Sequence, residues 1–471
     1  MFEFNLKSRD HNHIHFIGIG GISMSGLAEI LLNKGYKVTG TDSNDSSIIT
    51  RLKSLGAVVF LNHDVKNISG ADLIVYTDAI SNDNIELNAA KESNIETIDR
   101  ASFLGALMKN YTYSIAVSGT HGKTTTTSML ASITNHGNLE PTVLLGGQLD
   151  DIGGNVKIDS DDYILTEACE YKGNILKYFP TMAIILNIDE DHLDYFKNIN
   201  HIVDTFVEYG ENLKEDSYLI ANIDDPHMGR VIDSTKAKVI TFGIKKDADY
   251  RAEDIKFSKE GYPSFNLNIK GKGKFPIKLK VMGKHNIYNS IASMASADTY
   301  GVPIEEILKY MSLYGGVHRR LEYKGNFSGI DVLDDYAHHP TEIKATLEAL
   351  NNKKGGELYC IFQPHTFTRT KALLESFSDS FTLADNVIIT DIYAARERDT
   401  GEIHSRDLSE KIKEKGTNSI YLSTFKEVED YLILKVKKGD IILTMGAGNI
   451  YLVGESLLNI KSIDILEKAV V

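Results

Sequence analysis

Short apolar runs rich in β-branched residues alternate with helix-length amphipathic segments along almost the whole chain. This alternation predicts an α/β fold built on parallel sheets. The runs fall into three blocks. HIHFIGIGG, YKVTGTD and ADLIVYTDA mark the first, which fades near Lys109. The second opens with YSIAVSG and continues through DYILTEAC, MAIILNID, SYLIANID and KVITFG. Within it, residues 250–282 change period. FNLNIK and FPIKLKV alternate every second residue around glycines, which predicts an antiparallel hairpin insertion, followed by a helix over residues 286–300. The third block begins near Arg320 and carries IDVLDDYA, ELYCIFQPH, NVIITDIYA and DIILTMGAG. A chain of 471 residues is too long for one core. The predicted division is residues 1–109, 110–319 and 320–471. The first and last units read as Rossmann-like, and the middle one as a P-loop ATPase-type α/β unit with a small antiparallel β insertion.

Charge and cysteine content narrow the partners. Acidic residues outnumber basic ones 65 to 51, a formal charge of −14, which disfavours nucleic acid as the main partner but leaves room for small phosphorylated ligands. Cys169 and Cys360 lie in apolar strand-like runs and read as reduced thiols of a cytosolic protein. No apolar run approaches the roughly 20 residues of a membrane span, and the N-terminal residues lack the apolar core of a signal peptide. The expectation is a cytoplasmic protein with no membrane partner.

Two glycine turns carry the chemistry. In FIGIGGISMSG a strand runs into a glycine turn and then a helix, which aims backbone N–H groups at a phosphate. Gly18 and Gly20 match the start of G-x-G-x-x-G, but Ser23 stands at the third position and Gly26 arrives later. Asp42, ending the next strand, is placed to take ribose hydroxyls. From this block alone a nicotinamide dehydrogenase remains open. The second turn, Ser118-Gly119-Thr120-His121-Gly122-Lys123-Thr124-Thr125, lacks the early glycine of G-x-x-x-x-G-K-[ST], because Val117 occupies that position. The needs of a triphosphate are still met. A strand feeds the loop, glycines allow close backbone approach, Lys123 reaches the β/γ-phosphates, and Thr124 offers a hydroxyl to Mg²⁺. Val117 is then the last residue of the feeding strand, and the shorter loop binds ATP.

Further candidates lie downstream. Glu167 ends the strand YILTEAC, where a carboxylate suits the ATP metal. Asp189-Glu190-Asp191-His192 closes the next strand, and His192 could hold a second cation. Asn286 and Asn289, three apart on one helix, read either as contacts to an adenine edge or as cap and surface residues.

In this order, GTHGKT, Glu167, Asp191-His192, the H-N-x-x-N of residues 285–289 and Arg319-Arg320 resemble the Mur ligase family, ATP-dependent amide-forming enzymes of bacterial cell-wall precursor synthesis. The resemblance runs over essentially the whole chain. FIGIGGISMSGLAEIL, VYTDAISNDNIEL, DDYAHHPTEI and FQPHTFTRT are similar to the branch that adds the first amino acid, and a tripeptide-adding recycling branch ranks second. The implied substrates are ATP, UDP-N-acetylmuramate and L-alanine, with two Mg²⁺ ions and a monomer or dimer. The resemblance implies that Gly18, Gly20, Gly21, Ser23, Met24, Ser25, Asp42 and Ser81 bind the nucleotide sugar. It implies metal ligation by Thr124, Glu167 and His192, and ATP contacts from the loop, Asn286, Asn289, Arg320 and Asp335. It places His338 and Arg369 at the incoming amino acid, and Lys123, His192, Arg320 and His338 in the chemistry. It also implies domain closure before reaction. Three departures stand out. Val207 sits where many members carry a carbamylated lysine, ACEYKG replaces A-D-E-S-D, and Thr366 replaces an arginine, leaving Arg369 alone as the anion anchor.

Overall fold

The computed structural model describes residues 2–81, 83–137, 139–351, 355–395 and 397–459. Three sheets follow one another along the chain. The first holds β1 (His13–Ile17), β2 (Lys37–Thr41), β3 (Val58–Phe60), β4 (Leu73–Tyr76) and β5 (Glu96–Asp99), all parallel in the order β3-β2-β1-β4-β5.

The second sheet has ten strands: β6 (Tyr113–Ser118), β7 (Thr142–Leu149), β8 (Gly154–Lys157), β9 (Tyr163–Glu167), β10 (Met182–Ile185), β11 (Tyr218–Asn222), β12 (Lys238–Gly243), β13 (Tyr250–Phe257), β14 (Pro263–Ile269) and β15 (Gly273–Lys278). Their order is β15-β14-β13-β12-β11-β10-β6-β9-β7-β8. The expected antiparallel insertion is present as β13–β15. It is not a separate hairpin, because β13 pairs in parallel with β12 through Phe242 and Tyr250 and so continues the main sheet.

The third sheet contains β16 (Glu322–Phe327), β17 (Ile330–Asp335), β18 (Leu358–Phe362), β19 (Asn386–Ile389), β20 (Asn418–Tyr421) and β21 (Ile441–Met445) in the order β16-β17-β21-β18-β19-β20. Only β16 runs antiparallel to its neighbour. The architecture is therefore three successive α/β units. Among the described residues no helix is long and apolar enough to cross a membrane.

Strands buried on both faces need apolar residues at every position, which is why the runs read as continuous rather than alternating. Ile115, Ala116 and Val117 of β6 and Ile184 and Ile185 of β10 are all buried. The helices Lys123–His136 and His285–Thr299 pack together over the central sheet. Small residues make the close approach possible, and the Ser293 hydroxyl donates to Thr126 O at 3.0 Å.

The late glycine of the first turn finds its reason between units. A Cβ at Gly26 would lie 2.6 Å from Leu144 Cδ2 and 2.8 Å from Val156 Cγ2, so the helix Ile22–Asn33 needs glycine to rest on the β7–β8 hairpin. Asn155 Nδ2 donates to Ile22 O at 2.9 Å, and Lys177 pairs with Asp99 at 2.8 Å across the same seam.

Candidate active site

Neighbouring parallel strands end at one edge of a sheet, and here β9, β6 and β10 are neighbours. Val117 pairs with Glu167 and Ser118 with Ile185, so the loop after β6, Glu167 and the acidic turn after β10 share that edge. The loop itself needs its glycines. Gly119 and Gly122 have φ of +122° and +87°, and a Cβ at Gly122 would sit 2.6 Å from Asn289 Oδ1. Asn187 locks the turn from β10: its Oδ1 accepts the His121 N–H at 2.8 Å and its Nδ2 donates to His121 O at 3.0 Å.

Lys123 lies beneath the loop. Its Nζ donates to Gly119 O (2.5 Å) and Thr120 O (3.0 Å) and pairs with Glu170 at 3.1 Å. Burial opposes the ammonium charge, but Glu170 and Glu167 outweigh it and hold Lys123 above the ordinary lysine range. Beside it, the Thr124 hydroxyl donates to Glu167 Oε2 at 3.1 Å, and Glu167 Oε1 accepts the Gly146 N–H at 2.6 Å. These are hard oxygen donors side by side at the glycine loop, a donor set that fits Mg²⁺. His192 Nε2 is 4.0 Å from Glu170 Oε1, on the same wall.

Four non-glycine residues near these groups have left-handed φ: His192 (+54°), Arg319 (+61°), Leu321 (+47°) and Thr366 (+66°). Such strain gathers where a fold fixes functional geometry. Arg319 and Leu321 flank Arg320, whose Nη2 reaches Thr124 Oγ1 at 3.4 Å. Both guanidinium carbons lie 4.9 Å from the Tyr336 ring centre, which braces the junction into the third sheet.

A cavity of about 670 Å³ opens behind the loop. Asn286, Asn289, Thr125, His121, Arg320 and Asp335 line it together with apolar Leu186, Val281 and Val317. Asn286 and Asn289 are buried, not surface residues: Asn286 Nδ2 donates to Met282 O at 2.7 Å, and Asn289 Nδ2 to Asn286 Oδ1 at 3.0 Å. Both Asp335 oxygens accept bonds within the protein, from the Ala337 N–H (2.7 Å), the Leu321 N–H (3.1 Å) and the Thr346 hydroxyl (3.0 Å). Burial raises Asp335 to about 6, with Arg320 as the main opposing influence.

A second cavity, about 620 Å³, brings together Lys123, Thr124, Glu167, His192, Arg320 and His338, with Ile22 from the first unit. Two smaller ones flank it. That of about 330 Å³ is lined by Gly21, Ser23, Met24 and again Glu167. That of about 360 Å³ is lined by His192, His338, Thr366 and Arg369. Burial lowers His338 to about 4, leaving a neutral imidazole at neutral pH, and its Nδ1 lies 3.0 Å from Tyr336 O. Arg369 is paired at 3.1 Å with Asp191, whose carboxyl is held far below the usual range: burial opposes ionisation, but His192 and Arg369 prevail.

The remaining first-turn residues play supporting parts. Asp42 Oδ2 accepts the Gly20 N–H at 2.9 Å, bracing the turn. A Cβ at Gly18 (φ +85°) would meet Thr77 Cγ2 at 2.6 Å. Ser25 is buried and donates to Ile22 O at 2.9 Å, while Ser81 is exposed on the loop after β4.

Two groups the sequence reading passed over complete the site, Asn187 and Glu342, together with Asp189, which it named only as part of the acidic turn. Asn187 was signalled by a polar residue just past a wholly apolar strand. Glu342 was signalled only by its place in the first turn of the helix Pro340–Asn351, within a motif already noted for His338.

Models of the Mur ligase family match this chain in three stretches: "Mur ligase family, catalytic domain" over residues 13–112, "Mur ligase middle domain" over 117–297, and "Mur ligase, glutamate ligase domain" over 319–448. The chain is 49% identical over 456 residues to the UDP-N-acetylmuramate–L-alanine ligase of Clostridium acetobutylicum, covering 97% of this chain and 99% of the relative. It is 50% identical over 457 residues to the enzyme of the same name from Acetivibrio thermocellus, covering 97% of each. Among solved structures, UDP-N-acetylmuramate–alanine ligase of Thermotoga maritima superposes with a TM-score of 0.80 at 28% identity, over 95% of this chain and 98% of that one. The glycine turns, the shared strand edge and these full-length likenesses agree: the chain belongs to the Mur ligase family.

Proposed function

We propose that this chain joins L-alanine to the lactyl carboxylate of UDP-N-acetylmuramate, converting ATP to ADP and phosphate, in the cytoplasm. The observation that carries this reading is the meeting of cavities at Lys123, Thr124 and Glu167, with a nucleotide-sized pocket behind them and the first glycine turn in front. Near-50% identity to alanine-adding relatives of the same length supports the choice of amino acid. Residues 1–109 would take the nucleotide sugar, 110–319 the ATP, and 320–471 the amino acid.

The chemistry has two steps. The lactyl carboxylate attacks the γ-phosphorus, forming an acyl phosphate and ADP. The alanine amine then attacks the acyl carbon, and the tetrahedral intermediate expels phosphate. Phosphoryl transfer depends chiefly on positioning and charge stabilisation, so Lys123 and Arg320 would neutralise the β/γ oxygens. Thr124 and Glu167 would hold one Mg²⁺, and His192 would help hold a second. When bound, these ions supply charge compensation between the two anions that must meet. Arg369 would receive the alanine carboxylate on the Asp191 side of the small cavity. His338, neutral and lowered to about 4, is a weak acceptor for an ammonium proton and suits a hydrogen-bonding part. Two contacts between the units, Arg320 on Thr124 and Arg369 on Asp191, support a reaction that takes place with the units drawn together.

The test is ADP release with ATP, Mg²⁺, UDP-N-acetylmuramate and L-alanine, each omitted in turn. Full turnover is expected only with all four. An equal rate without the nucleotide sugar contradicts ligation, and a preference for the tripeptide over L-alanine reassigns the chain to the recycling branch.

A further inference from the structure

Glu342 does more than a helix cap requires. Its Oε2 accepts the His338 N–H at 3.0 Å and the His339 N–H at 3.3 Å, which is the capping part. Its Oε1 reaches across the seam to His121 Nδ1 at 3.3 Å, inside the phosphate loop. The far side of that imidazole, Nε2, lies 3.1 Å from Asp189 Oδ2, and the same oxygen accepts the Thr341 hydroxyl at 2.6 Å. The His339 ring lies tilted beside that of His121, ring centres 4.8 Å apart, and its Nε2 meets Glu190 O at 2.9 Å.

The loop that approaches ATP is thus joined to the segment carrying His338 by one chain of hydrogen bonds, Asp189–His121–Glu342–His338. The charges suit the connection. Burial disfavours an imidazolium at His121, yet Asp189 and Glu342 raise it to about 9. Burial likewise opposes the Glu342 carboxylate, but the charged His121 and Arg320 that face it hold its carboxyl well below the usual range.

We propose that Glu342 is a positioning residue that couples the ATP loop to the amino-acid side of the site. A cap needs only acceptors for two N–H groups, whereas the bond to His121 spans two sheets and ends in the loop itself. Fixing His121 by filling the loop fixes Glu342, and with it the backbone that aims His338 into the small cavity. Filling one site then strengthens the other by the same factor. This rests on the function proposed above.

The test uses the full-length protein with Mg²⁺ and saturating UDP-N-acetylmuramate. L-alanine affinity is measured by calorimetry with and without a non-hydrolysable ATP analogue. About tenfold tighter alanine binding is expected with the analogue, within the usual range of such couplings. Glu342→Gln keeps a carbonyl for the backbone N–H groups and removes the charge facing His121. It should bring the ratio close to one and raise KM for L-alanine about tenfold, leaving KM for the nucleotide sugar unchanged. His121→Asn should erase the ratio from the other side, and the double variant should be no worse than either single one.

Retained coupling in Glu342→Gln, or an equal loss in every kinetic constant together with lower stability, overturns the proposal in favour of a plain cap. If Glu342→Gln does not fold, His121→Asn decides by the same ratio. Wild-type turnover that needs no nucleotide sugar removes the functional reading and this proposal together. Normal ligation with alanine binding indifferent to the analogue removes only the coupling.

Discussion

Lys123→Ala is expected to lower kcat by about 10³-fold, the scale seen when a charge-stabilising donor is removed from a preorganised site. The ammonium is held under the loop by two carbonyls and Glu170, a position that Arg320, on the Thr124 side, does not share. The variant should also lose stability. Glu170 is 2% exposed, and leaving its carboxylate without the ammonium costs about 3 kcal/mol, as when one partner of a buried ion pair is deleted. Adding Glu170→Gln removes that stranded charge. The double variant should recover much of the melting temperature and none of the turnover. Phosphate release and thermal melting on the same preparations check both halves. A Lys123→Ala protein within tenfold of wild-type kcat contradicts the phosphate-loop assignment.

Gly122→Ala is the second large effect, and it acts through the backbone. At φ +87° an alanine pays the left-handed penalty of roughly 1–2 kcal/mol. Its Cβ would also stand 2.6 Å from Asn289 Oδ1 and 3.3 Å from Leu186 Cδ1. Asn289 has little room to yield, being buried and tied to Asn286. The turn must therefore shift, and displacement of this order at a reacting centre costs about 10²-fold in kcat/KM for ATP. Gly229→Ala is the control. It lies in the helix Met228–Ser234 with nothing within 4 Å of the added Cβ, so activity should be unchanged and stability slightly higher. Equal activities for the two variants contradict the close-packed loop.

How much of this was legible beforehand follows from the range of the interactions. Strands buried on both faces announce themselves by composition, so β1, β6, β10, β18 and β21 were plain. Edge strands were not. In β16, EYKGNF carries mixed polarity because one side lacks a neighbour, and the three-residue β3 is half exposed. The glycine loop was legible because its requirement is local: positive φ and close approach are written into residues 119 and 122.

Partnerships across the chain were not legible. Arg369 with Asp191 spans 178 positions and His121 with Glu342 spans 221, and no spacing rule links residues so far apart. The reading of Asn286 and Asn289 left cap, surface and ligand open for the same reason. Their burial depends on the helix Lys123–His136 packing beside them, which only the assembled sheet brings about.

By the acyl-phosphate route, phosphate leaves this enzyme carrying an oxygen taken from the sugar-nucleotide carboxylate. UDP-N-acetylmuramate labelled with ¹⁸O in both lactyl carboxylate oxygens, turned over with ATP and L-alanine, tests it directly by mass spectrometry of the released phosphate. Attack of the carboxylate on the γ-phosphorus predicts one ¹⁸O in each phosphate and one in the new amide. Unlabelled phosphate formed at the rate of product would mean that ATP is hydrolysed by water, and would contradict the acyl-phosphate route.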